Sequence, residues 1–200
     1  MKRWTWRHAI LPITAATALA LDQSTKRLVA ERLALHESWN PIPALMPFVR
    51  ITHVTNTGAA FGLLPNQGNL FILIAIVVVA AIVFYHRRLP DGYLLVRLAL
   101  GLQLGGALGN LLDRLRLGYV VDFIDFRVWP VFNLADSSIV LGVVLLAYTM
   151  LREEEVQAKE DEAAEAPPRS PDSGTPLSPL ALSEGPPAGD DGRRRDTVAG

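Results

Sequence analysis

Apolar residues along this chain gather into four long runs separated by polar stretches. The first, Ala9 to Leu21, follows Lys2, Arg3 and Arg7, with Trp4 and Trp6 where a bilayer interface would meet a helix. Asp22 and Lys26 come next, four apart and acid before base. That is the favourable order for a helical ion pair, so the helix is expected to run on through both. The second run, Leu70 to Tyr85, is uncharged and ends at His86-Arg87-Arg88. A tight turn, Pro90-Asp91-Gly92, leads to the third, Leu94 to Leu112, which carries Arg97 near its start. The fourth, Leu134 to Leu151, has Asp136 as its single charge and stops at Arg152, before Glu153-Glu154-Glu155. With the polar continuation of the first, each approaches the roughly 20 residues that cross a bilayer, and four transmembrane helices are predicted.

Lysine and arginine collect before the first span, between the second and third, and after the fourth, which sets both termini in the cytoplasm. The two longer loops, residues 31–68 and 113–131, then face outward. A cleaved signal peptide competes as a reading of the first run, because Ala18-Leu19-Ala20 resembles a cleavage site, but the spans that follow favour an uncleaved anchor. Pro41, Pro43 and Pro47 exclude a long helix from the first outer loop. The β-branched run Val49 to Thr55 predicts a short strand there, and so a small extracytoplasmic β-element.

Half the residues are hydrophobic and a fifth are charged, which suits a bilayer better than an ordinary soluble domain. The net charge of −1 hides a split. Residues 1–152 hold 14 basic and 8 acidic side chains, whereas 153–200 hold 5 and 12 together with half of all the prolines. The chain therefore reads as a membrane domain, 1–152, and an acidic, Pro-rich cytoplasmic tail, 153–200, too poor in apolar surface to fold. Without cysteine there is no disulfide, thiolate nucleophile or Cys-ligated zinc. No cofactor, metal or nucleic-acid partner is expected.

Acids in or beside membrane spans are costly and tend to mark function. Asp22, Asp113, Asp122, Asp125 and Asp136 qualify, and the topology sets the last four on the outer side. Gly101, Gly105 and Gly109 form a small-xxx-small ladder that reads as helix packing. Asn110 and Arg114, four apart, present an amide and a guanidinium at the helix end. They could hold a substrate backbone or orient carboxylates, or Arg114 could simply pair with Asp113 or snorkel to the interface. Alone, Asp136 could be an ordinary helix N-terminal acid. Fourteen residues with Trp129-Pro130 between them allow a hairpin-like return that brings Asp122 to Asp136. Two adjacent carboxylates share a proton, so that one activates water while the other protonates or polarises a carbonyl.

At these residues the sequence closely resembles the lipoprotein signal peptidases, or signal peptidase II. The matching blocks are Asp22-Gln23-Ser24-Thr25-Lys26, Asn56 through Gly62, Gly105 through Arg114, Val120 through Phe126, and Phe132-Asn133-Leu134-Ala135-Asp136. The resemblance implies an all-α polytopic membrane protein with four transmembrane helices and a small extracytoplasmic β-cradle. It implies an aspartyl endopeptidase of the cell inner membrane that cleaves diacylglyceryl-modified prolipoproteins just before the lipidated cysteine. By position the catalytic dyad falls on Asp122 and Asp136. Asp22, Lys26, Asn56, Asn110, Arg114 and Asn133 fall on motif positions expected to shape the site and bind the substrate backbone, with membrane lipid as surroundings. Asp113 and Asp125 are expected to support, and the loop from Asn56 to Gly62 to close over the bound peptide. The tail after Arg152 matches no motif of the family. Two other classes stay open on the residues alone: an ion or proton path, though its acids would all lie at one face, and a scaffold whose tail recruits partners.

Overall fold

A computed structural model describes residues 6–58, 67–89 and 93–165, with the backbone alone at 6–7 and 157–165. The turn Pro90-Asp91-Gly92, the greater part of the expected closing loop and the chain after Glu165 lie outside the described residues.

Four long helices and a three-stranded sheet alternate in the order α1 (Ile10–Arg32), β1 (Ser38–Trp39), β2 (Arg50–Asn56), α2 (Gly68–His86), α3 (Leu94–Leu117), β3 (Val120–Asp125) and α4 (Leu134–Glu165). Among the described residues α2, α3 and the first part of α4 are long and apolar enough to cross a membrane. In α2 only Ile82 is buried, so nearly the whole surface of an apolar helix faces outward. α1 is as long, but its second half is polar, and its buried stripe runs Leu11, Ala15, Ala18, Asp22, Lys26, Val29 at helical spacing.

α3 is the central helix, and its glycines set how close its neighbours come. A Cβ at Gly105 would lie 2.6 Å from the Ala15 carbonyl of α1, and one at Gly106 would collide with the Ala135 carbonyl of α4. The ladder therefore packs α3 against α1 while Gly106, beside it, admits α4, and Gly109 does something further: its bare Cα makes room for the Asp22 carboxylate, 2.5 Å from where a Cβ would stand. Gly118, at φ 82, caps α3 in the left-handed region and turns the chain into β3.

The strand predicted over Val49 to Thr55 is β2, the centre of an antiparallel sheet ordered β1-β2-β3. Arg50 and Ile51 stand opposite Asp125 and Ile124, but from Val54 on the partners are Asp122, Val121 and, for Asn56, Val120. β2 thus holds one extra residue between Ile51 and Val54. Without that bulge Val54 would face Val121, and Asn56 would point to the side of the sheet away from Asp122.

The fourth helix does not stop at Arg152; it continues to Glu165. The charges after Arg152 mark where apolar surface ends, not where the helical ladder ends. Residues 153–165 are mostly Glu, Ala, Gln and Lys, all good helix formers, with no proline before Pro167.

Candidate active site

The site is assembled where β3 leaves α3 and α4 begins. Phe132 bridges back to Ile124, with Phe132 N donating to Ile124 O at 3.1 Å, so the aromatic loop does make the hairpin-like return. Asn133 is then the N-cap of α4. Its Oδ1 accepts the Asp136 N–H at 2.9 Å, and Asp136 Oδ2 lies 3.4 Å from the Asn133 backbone N as the reciprocal half of a capping box. The ordinary capping role of Asp136 is real, but it occupies one oxygen. The other, Oδ1, accepts from Asn110 Nδ2 at 2.7 Å.

Asp122 is 2% exposed. It takes two amide donors, Asn56 Nδ2 on Oδ2 at 2.9 Å and Asn133 Nδ2 on Oδ1 at 2.6 Å. Asn56 reaches it diagonally across the sheet, a contact that the bulge in β2 makes available. Burial pushes the Asp122 carboxyl up to about 6. The neighbouring Asp136 charge adds to the rise, while the Asn56 and Asn133 hydrogen bonds and the Lys26 charge oppose it.

Both carboxylates line one cavity of about 610 Å³, together with Asn56, Asn110 and Arg114. Apart from Ser137, its remaining wall is largely apolar, with Phe71 of α2, Val140 and Leu141 of α4, and the loop from Trp129 to Phe132. Arg114 does not pair with Asp113. Its guanidinium lies over the Phe71 ring, 5.1 Å from the centroid, with Nη2 3.4 Å from the Gly58 carbonyl, and its buried Nε has no hydrogen-bond partner.

Asn133 sits between the carboxylates, fully buried, and Asp22 and Lys26 lie behind Asn110 without lining the cavity. The expected ion pair is present, Lys26 Nζ to Asp22 Oδ2 at 2.9 Å, and Asp113 forms a second arm at the same distance. Gln23 was missed. Its Nε2 donates to Asp113 Oδ1 at 2.8 Å, and nothing in the spacing of one amide beside a charged pair singles it out. Asp125 stands apart from the cavity. Burial raises its carboxyl, but hydrogen bonds from Arg50 Nε (2.6 Å), the Arg127 N–H (2.8 Å) and Thr52 Oγ1 (3.0 Å) outweigh that and hold it below the usual range. It pins the left-handed turn at Arg127, φ 64, from which the cavity loop departs.

Residues 14–152 match the signal peptidase (SPase) II family. The chain belongs to the signal peptidase II family. The lipoprotein signal peptidase of Halothermothrix orenii is 47% identical over 144 residues, covering 72% of this chain and 97% of that one. That of Moorella thermoacetica is 46% identical over 148 residues, 74% and 97% of the two chains. Among solved structures, a bacterial membrane enzyme determined by the in meso method at 2.3 Å superposes with TM-score 0.67 at 34% identity, over 72% of this chain and 88% of the other. A second, determined at 1.9 Å, gives 0.64 at 35%, over 70% and 92%. As a signal peptidase II the chain is a hydrolase of peptide bonds, built on apolar helices like its membrane-enzyme neighbours.

Proposed function

We propose that this signal peptidase II removes signal peptides from prolipoproteins by hydrolysing the bond before a diacylglyceryl-modified cysteine, with Asp122 and Asp136 as an aspartyl dyad. The observation that carries the reading is the pair of carboxylates on one cavity, each held by carboxamide donors and linked through Asn110 and Asn133.

Asp122, buried and pushed up to about 6, holds the shared proton. Asp136, in the first turn of α4 where the helix dipole favours negative charge, is the base. Asp136 takes a proton from water as the water oxygen attacks the scissile carbonyl carbon, and Asp122 gives its proton to the carbonyl oxygen. Collapse of the tetrahedral intermediate returns that proton to Asp122, and the proton on Asp136 goes to the leaving amine. Arg114, the cation of the cavity wall, offers its guanidinium to a substrate backbone carbonyl, and Asn56 and Asn110 keep the carboxylates in place.

In the membrane, α1 is the fourth span. Its outward face is apolar at Ile13, Leu21 and Leu28, while Asp22 and Lys26 are turned inward against α3 and the exposed Arg27–Glu31 pair lies near its end. Both termini lie in the cytoplasm, and the sheet is an extracytoplasmic cradle at the outer interface, level with the dyad. Residues 1–152 form the peptidase and 153–200 a cytoplasmic extension. The apolar wall of Phe71, Val140 and Leu141 suits acyl chains, which contribute roughly 0.8 kcal/mol per buried methylene.

Single-turnover cleavage of one prolipoprotein with and without its diacylglyceryl group, in detergent, tests the reading. The lipidated form is expected to be cut far faster, and Asp122→Asn and Asp136→Asn each to lose roughly 10³-fold while still inserting and folding. Equal rates on the two substrates would leave a generic membrane aspartyl protease. Near-normal turnover in either variant would remove the dyad.

A further inference from the structure

Behind the cavity wall lies a buried ammonium with three acceptors. Lys26 Nζ is 2.9 Å from Asp22 Oδ2, from Asp113 Oδ2 and from Asn110 Oδ1, one for each of its three N–H bonds. Lys26 is 3% exposed and lines no part of the dyad's cavity. We infer that Lys26 is a positioning residue: through the Asn110 carboxamide it fixes the direction of the amide hydrogen bonds that join Asp122 to Asp136. The inference rests on the dyad proposed above.

An ammonium donates and never accepts. It therefore holds the oxygen of Asn110 toward itself, which turns Asn110 Nδ2 toward Asp136 Oδ1 at 2.7 Å. Half a turn of that amide would set N–H against N–H and oxygen against carboxylate. The same Asn110 oxygen accepts Asn133 Nδ2 at 3.2 Å, and this orients the second amide. Asn133 Nδ2 then donates to Asp122 Oδ1, and Asn133 Oδ1 is left for the Asp136 N–H. A chain of two amides, each reversible by itself, is given one polarity by the donor at each end, the Lys26 ammonium on Asn110 and the Asp136 N–H on Asn133.

Both carboxylates consequently meet only N–H from the amides. The proton they share is kept out of the space between carboxylate and amide and is left to the cavity side, where a substrate carbonyl comes. The ammonium is itself held from four elements of the site, α1, α3, β3 and α4. Asp22 Oδ1 accepts the Ala135 N–H at the start of α4 at 2.9 Å. Asp113 accepts Gln23 Nε2 and, more loosely, the Val121 N–H of β3 at 3.3 Å. The charged groups facing Lys26 are Asp22 of α1 and Asp113 of α3, with Asp122 of β3 at longer range and Arg27 and Arg116 around the surface pocket that Lys26 and Asp113 share.

A double-mutant cycle with a pH profile decides it. Lys26→Met and Asn110→Leu are each expected to lower kcat by roughly 10²-fold with KM within about twofold, and the double variant to fall no further than the worse single one. The kcat/KM profile of Lys26→Met is expected to shift to higher pH, which loss of folded enzyme would not cause. Should Lys26→Met fail to fold, Lys26→Met with Asp113→Asn keeps the net buried charge and takes its place in the cycle. Losses that multiply to roughly 10⁴-fold, or an unmoved profile, would overturn the inference. Asp122→Asn run alongside separates the two ideas: an active Asp122→Asn removes the dyad itself, whereas an inactive one with multiplying losses removes only the role of Lys26.

Discussion

Replacing Asn56 by leucine removes one donor from the buried Asp122 carboxylate and leaves Asn133 as the other. A hydrogen bond to a charged group contributes about 1.5–3 kcal/mol, and one pKa unit corresponds to about 1.36 kcal/mol, so complete loss would raise the carboxyl by roughly one to two units. Asn56 lines the cavity, where water can take over part of its place, so the lower end applies: from about 6 toward roughly 7. The sign follows from the roles. Asp122 acts protonated, so kcat/KM of the parent enzyme falls as pH rises through the dyad's upper titration near 6. With the anion less well held, that limb moves to higher pH. The assay is kcat/KM on a lipidated peptide in detergent between pH 4 and 8.5, which reports the free enzyme. A limb that stays in place while the amplitude drops would mean that Asn56 serves the substrate alone. An acid limb near 6 would reverse the proton roles of the two aspartates.

Gly106→Ala puts a methyl group into the Ala135 carbonyl and is expected to push the start of α4 away from α3, with a stability loss of about 1–3 kcal/mol and a larger loss of activity, read by thermal unfolding in detergent and by turnover. Unchanged melting would show that the helices are not in close contact there. Asp125→Asn should weaken the Arg50, Thr52 and Arg127 anchor: because the folded carboxyl is held below its usual range, the parent has this stability above about pH 4 and loses it as pH falls further, while the variant is flat across that window. Parallel acid-unfolding curves would refute the anchor. Reporter fusions after Arg88 and Arg152 should read cytoplasmic, and those at His53 and Arg127 external; an external reading at Arg152 would break the four-span topology.

Much of the framework follows from patterns that are local in the chain. Apolar runs mark α2, α3 and the start of α4, β-branched residues mark β2, and the spacing of Asp22 and Lys26 declares a helical pair, because each signal repeats within a few residues. The acids and amides of the site were also legible as residues. The helical stretch from 153 to 165 is present in local propensity too, but the lack of apolar surface there hides it from a hydrophobic pattern. Tertiary structure alone decided which groups meet. One extra residue between Ile51 and Val54 turns Asn56 to the Asp122 side, and no hydrophobic pattern in so short a strand records a one-residue slip. Gly109 admits Asp22 and Gly106 admits α4, so that Lys26 finds Asp113 and Asn110 from another helix. Which way an amide points is set by the donors and acceptors that packing brings to it, and for Asn110 the ammonium that does so, Lys26, is 84 positions away.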